Sequence, residues 1–100
     1  MDKTRFVNNL PNLEDLRVFV IVARRSSFAA AASELGVSPA YVSKRIQLLE
    51  HNIGVRLLHR TTRRVAVTDD GERVYRWALH IFDAVEQMSD EVLSLIHISE

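Results

Sequence analysis

Apolar positions along this chain fall into three stretches at helical spacing, one short alternating stretch, and one long heptad-like stretch. Leu13, Leu16, Val20 and Ala23 recur at helical spacing, with Phe19 beside them. The β-branched run 18–22 also fits a buried strand when taken alone. Asn12 as N-cap, Asp15 three positions on in capping-box fashion, and Arg24-Arg25 at the negative dipole end decide for a helix. Phe28, Ala31, Ala32 and Leu35 then give one apolar face to a short second helix, capped by Ser26 or Ser27 and stopped by Gly36. Only Gly36-Val37-Ser38 separates it from a third helix over 39–52, with Ser38 as N-cap and Pro39 at the first helical position. There Val42, Ile46, Leu49 and Ile53 form the buried stripe, and Gly54 ends it. Two short helices joined by a tight glycine-containing turn make a helix-turn-helix.

After Gly54 the period changes. Leu57-Leu58-His59-Arg60 and Arg64-Val65-Ala66-Val67 read as a two-stranded wing with Thr61-Thr62-Arg63 near its tip. Thr68 caps a final helix whose first turn carries Asp69, Asp70 and Glu72. Along that helix Val74, Ala78, Ile81, Val85, Met88 and Val92 alternate steps of four and three, a seam for pairing lengthwise with another helix. The competing reading is that this stripe packs back on the chain's own core; Trp77, Leu79 and Phe82 lie off the seam and are free to do so. The expected fold is mainly α: a winged helix-turn-helix of three helices plus a two-stranded wing, followed by a long dimerisation linker helix. Its divisions are a flexible arm at 1–11, the winged helix-turn-helix domain at 12–68, the long pairing helix at 69–92, and a separate tail at 93–100.

Composition adds one point of weight. The chain of 100 residues has no formal net charge, yet residues 1–68 hold eleven Lys/Arg against five Asp/Glu, and residues 69–100 hold two against eight. A head of +6 on a stalk of −6 suggests a polyanion-binding part joined to one that avoids polyanions. No apolar run exceeds residues 18–23 and no signal-peptide core follows Met1, so a cytoplasmic protein is expected. With no cysteine there is no disulfide framework or thiolate metal site.

Several strings together resemble the LysR-type transcriptional regulators. They are Phe28-Ala29-Ala30-Ala31-Ala32-Ser33-Glu34-Leu35-Gly36-Val37-Ser38, then Pro39-Ala40-Tyr41-Val42-Ser43-Lys44-Arg45-Ile46 with Leu49-Glu50. Gly54-Val55-Arg56-Leu57-Leu58-His59-Arg60, Thr61-Thr62-Arg63-Arg64 and Thr68-Asp69-Asp70-Gly71 continue them. The resemblance implies an N-terminal winged helix-turn-helix that reads DNA, a linker helix that forms a homodimer (and a higher oligomer in a full-length protein), and a small-molecule effector bound only by a C-terminal domain. The family usually has Leu where Ile53 stands and often Phe where Leu58 stands; both positions stay apolar.

An α-helix fits the major groove, where every base pair is distinguishable. With Val42, Ile46 and Leu49 facing inward, the opposite face of the third helix shows Ala40, Tyr41, Lys44 and Gln47, flanked by Arg45. Bases are therefore expected to meet Ala40, Tyr41 and Lys44, with Pro39 shaping the approach. Many relatives carry Arg where Lys44 sits, and lysine lacks the planar fork, so discrimination is expected to be softer. Phosphate or minor-groove contacts are expected from Ser38, Ser43, Arg45, Arg60, Thr62, Arg63 and Arg64.

No catalytic chemistry emerges, so no enzyme, metal or cofactor is expected. His51, His59, His80 and His97 lie on different elements without metal-ligand spacing, and Asp69-Asp70-Gly71-Glu72 lacks the alternating ligands of a calcium loop. Two alternatives stay open: a molybdate-responsive regulator with a similar DNA-binding domain, and a winged-helix protein-interaction module. Finally, residues 93–100 back-translate as CTG TCT CTT ATA CAC ATC TCC GAG, which resembles read-through of a transposase-based sequencing adapter. The native sequence is accordingly expected to end near Val92.

Overall fold

The computed structural model describes residues 10–60 and 65–99, and the side chains among them except those of Arg60 and 96–99. Four helices and a two-stranded sheet appear among these residues, in the order α1 (Leu13–Arg25), α2 (Phe28–Leu35), α3 (Pro39–Ile53), β1 (Leu58–Arg60), β2 (Val65–Val67) and α4 (Asp69–Ser99). The expected mainly helical winged helix-turn-helix is therefore the observed fold. Of the arm expected at 1–11, only Leu10 and Pro11 lie within the described residues.

Each helix boundary follows from a local hydrogen bond. Asn12 accepts from the backbone N–H of Glu14 at 2.7 Å and opens α1. Asp15 does not complete a capping box: it is buried and turned toward α3, for a reason given below. Ser26 closes α1 in the left-handed region at φ 54°, leaving Ser27 to cap α2 by accepting from Ala30 N–H at 3.1 Å. Gly36 and Gly54 end α2 and α3 at φ 73° and 86°, where a Cβ would be strained.

The core forms around α1, which touches α2, α3, α4 and β2. This explains why Val18, Val20, Ile21 and Val22 are buried along with Leu16 and Phe19, well beyond a single amphipathic stripe. Leu13, expected in that stripe, lies beyond these neighbours and is half exposed. Val42, Ile46 and Leu49 reach in from α3, Ala31 and Ala32 from α2, and Leu57 and Leu58 from the wing. Each fully buried valine, leucine, isoleucine or phenylalanine among them contributes roughly 1.5–3 kcal/mol, and each alanine less.

The wing is antiparallel, with Leu58 opposite Val67, His59 opposite Ala66 and Arg60 opposite Val65. Thr68 ties its base to α4. Its N–H donates to Leu57 O at 3.0 Å, its hydroxyl donates to Arg56 O at 2.6 Å, and that hydroxyl accepts from Gly71 N–H at 2.9 Å. Gly71 is buried against this junction, and a Cβ there would run into Leu57 O and sit 2.6 Å from Val67 Cγ1. α4 thus leaves the wing at a fixed angle. It continues unbroken to Ser99, so backbone geometry does not mark the boundary expected at 93.

The expected α4 seam divides in two. Ala78 is fully buried in the head, and Val74 packs against the same core, so these two positions serve the monomer rather than an exposed seam. The reason is the junction at Gly71, which lays the first turns of α4 against α1. Ile81, Val85, Met88 and Val92 remain exposed. Of the residues off the seam, Phe82 packs on the core, whereas Leu79 and above all Trp77 are exposed, the latter beside His80 with ring centroids 5.7 Å apart.

Candidate nucleic-acid interface

α3 is seated by its inner stripe and presents its outer face freely. Pro39, Ala40, Tyr41, Lys44 and Gln47 are all exposed, and they occupy the first two turns and the start of the third. Pro39 fits the first turn because its missing N–H is unused there. Ser38 caps the helix by accepting from Tyr41 N–H at 3.1 Å, so this side chain has a structural duty whatever else it meets. Ser43 is half-buried on the flank.

Most cations on described side chains are matched. Arg24 and Arg25 share Glu34 at 3.3 and 2.9 Å, Arg17 lies near Glu14, and Arg73 lies near Asp70. Among the described residues, no carboxylate pairs with Lys44. Its ammonium stands on the exposed face of α3 as an uncompensated charge, the arrangement a polyanion would meet.

Arg45, expected at a phosphate, has a protein partner. Its Nε donates to a carboxylate oxygen of Asp15 on α1, and its guanidinium carbon sits 6.0 Å from the centroid of the Tyr41 ring. The hydrogen bond to Asp15 raises the Arg45 pKa above the ordinary arginine value, outweighing the opposing effect of burial.

Glu50 was not among the expected functional residues, yet it is buried and accepts from the N–H groups of Leu57 at 2.8 Å and Leu58 at 3.4 Å. It fixes the wing relative to α3. A carboxylate immediately after the core residue Leu49 was the only available signal, and its partners, Leu57 just before β1 and Leu58 at its start, lie beyond the end of α3, where the helical period no longer applies. Of the expected wing contacts, Arg60 lies on β1, while Thr62, Arg63 and Arg64 fall outside the described residues. No group of three or more His, Cys, Asp or Glu residues is placed to hold a metal ion among the described residues. No helix among them is long and apolar enough to cross a membrane.

A tight two-helix turn, a second helix with an open polar face, and a β-hairpin at its flank define a winged helix-turn-helix. The family described as "Bacterial regulatory helix-turn-helix protein, lysR family" matches residues 13–72. The chain is 65% identical over 86 residues to the HTH-type transcriptional regulator DmlR of Escherichia coli K12, covering 86% of this chain and 28% of that protein. It is 42% identical over 89 residues to the HTH-type transcriptional activator TtdR of the same strain, covering 89% and 29%. Among solved structures, the BenM DNA-binding domain in complex with catB site 1 DNA superposes with a TM-score of 0.81 at 34% identity, covering 84% of this chain and 94% of that one. The CbnR DNA-binding domain in complex with DNA gives 0.80 at 30% identity, covering 84% and 97%. The chain belongs to the lysR family of bacterial regulatory helix-turn-helix proteins. It spans less than a third of the length of the curated relatives it matches.

Proposed function

We propose that this chain is the sequence-reading head of a transcriptional regulator, acting on double-stranded DNA in the cytoplasm. The observation that carries this is the outer face of α3: Pro39, Ala40, Tyr41 and an unpaired Lys44, exposed together on the second helix of a helix-turn-helix. Two domains of the same fold, those of BenM and CbnR, were solved in complex with DNA, which supports the same use here. In this reading Lys44 reaches guanine O6/N7, and Ala40 or the Tyr41 ring meets a thymine methyl. Ser38 and Ser43 approach the backbone phosphates, as do Arg60, Thr62, Arg63 and Arg64 from the wing, where an arginine also suits a narrow minor groove.

The working unit is a homodimer joined along α4, through the seam residues that the head leaves uncovered: Ile81, Val85, Met88 and Val92. This seam needs nothing beyond Val92.

Selection from randomised 20-base-pair duplexes, followed by gel shifts across salt concentration, tests the reading. The chain should enrich a two-fold-related sequence, and its binding should weaken steeply with salt, by a slope of about 0.9 per neutralised phosphate. Lys44→Ala should lower affinity for the selected duplex by about 1–3 kcal/mol while leaving binding to scrambled DNA much less affected. Absence of both enrichment and salt dependence would favour a protein-docking module.

A further inference from the structure

Among the described residues two carboxylates are buried in the head, and they serve different ends. Glu50 holds the backbone at the base of the wing. Asp15 is only 1% exposed, lies in the first turn of α1, and pairs with Arg45 thirty positions away on α3. Burying a carboxylate is costly unless a cation and good hydrogen bonds compensate it, so Asp15 strongly restrains the guanidinium it faces. Arg45 in turn stands four residues after Tyr41, a spacing that stacks side chains on one helix face. At 6.0 Å from the ring centroid the guanidinium is within cation–π range. The Tyr41 ring is 41% exposed and lies in the N-terminal part of α3, where helix-turn-helix proteins address bases. The chain of contacts therefore runs from the interior of the head, through Arg45, to a side chain on the reading face.

We propose that Asp15 and Arg45 are positioning residues for sequence reading: the buried carboxylate holds the guanidinium against the Tyr41 ring and away from the phosphates, so that Tyr41 enters the groove in one orientation. This rests on the reading of α3 as the DNA-contacting helix. It makes Arg45 a determinant of selectivity without a contact to DNA of its own, in contrast to Lys44, whose neighbouring charge is free.

The test uses the chain itself, the duplex it selects from a randomised library, and a scrambled duplex of the same composition. Selectivity is the ratio of the two affinities. The double variant Asp15→Asn/Arg45→Gln removes both charges while leaving an amide pair of similar size, and it should lower selectivity about fivefold. The same pair of changes made in a Tyr41→Ala background should alter selectivity less than about twofold, because the ring they position is gone. The salt slope should stay unchanged throughout, since Arg45 neutralises no phosphate. Arg45→Lys keeps the charge and Asp15's partner but removes the planar face, and it should lose selectivity to a similar extent should the double variant fold poorly.

Equal losses in both backgrounds would show that the pair merely docks α1 on α3 and would overturn the proposal. So would a slope flattened by about 0.9 in Asp15→Asn/Arg45→Gln, which would make Arg45 a phosphate contact. A wild-type chain that selects no sequence would remove the reading of α3 itself, an outcome distinct from the other two.

Discussion

The two halves of α4 share one helix and one apolar period but live in different surroundings. In the first half Gly71 and Ala78 are buried, and Val74, Tyr75 and Phe82 pack against the core of the head. In the second half Val85, Met88 and Val92 continue the same spacing and are exposed, Met88 to 57%. The difference teaches that periodicity reports a face to be covered and not the identity of its cover. An isolated helix of this length gains little from propensity alone, and the stability of such a helix comes mostly from packing an amphipathic face. Charge separates the halves too: beyond residue 82 the helix carries Asp83, Glu86, Asp90 and Glu91 and no lysine or arginine. A stalk of that sign would be repelled by the phosphates of the DNA proposed as partner, whereas the head carries the opposite net charge.

The comparison can be broken most sharply at Ala78. Ala78→Asp places an unpaired carboxylate in a fully buried position and should cost about 3–5 kcal/mol, read as a large drop in thermal midpoint. A midpoint within a degree or two of the wild-type value would return Ala78 to the exposed seam. Gly71→Ala comes next. Its Cβ meets a backbone oxygen that has no rotamer to escape through, so a loss of about 1–3 kcal/mol is expected in chemical denaturation. In the distal half the expected effect changes kind. Met88→Asp should leave the dilute, monomeric head within about 0.5 kcal/mol of wild type, while raising the dimer dissociation constant at least about tenfold in sedimentation equilibrium. A dimer unaffected by that change would move the seam elsewhere. The smallest effect is expected at Ser38→Ala, which removes the α3 cap and should cost about 1 kcal/mol, with helix content otherwise retained by circular dichroism.

Much of this was legible from the residues because the deciding interactions are local. The caps at Asn12, Ser27, Ser38 and Thr68 and the stops at Gly36 and Gly54 each act within a few residues of where they stand. The inner stripe of α3 follows from its period, and once Val42, Ile46 and Leu49 are inside, the exposed Ala40, Tyr41 and Lys44 follow by geometry. What resisted reading was non-local. Asp15 looks like a capping residue because its partner lies on another helix, and nothing in either residue's neighbourhood announces the other. Trp77 is a large aromatic that one expects inside, but the angle set at Gly71 turns it outward to 69% exposure. α1 shows more buried positions than a helical stripe contains, because four elements surround it. The short run after Gly54 has no period at all, and there a single buried carboxylate, Glu50, fixes the path.

The contact at Gly71 has a mechanical side. α4 is 31 residues long, which at 1.5 Å per residue makes a rod of about 46 Å clamped at one end. A tilt of about 5° at the clamp sweeps the far end through about 4 Å, close to the 3.4 Å rise between successive base pairs. In the proposed homodimer, with two heads mounted on paired rods, the missing methyl of one glycine would act as a gear tooth, setting how many base pairs apart the two proposed reading helices land.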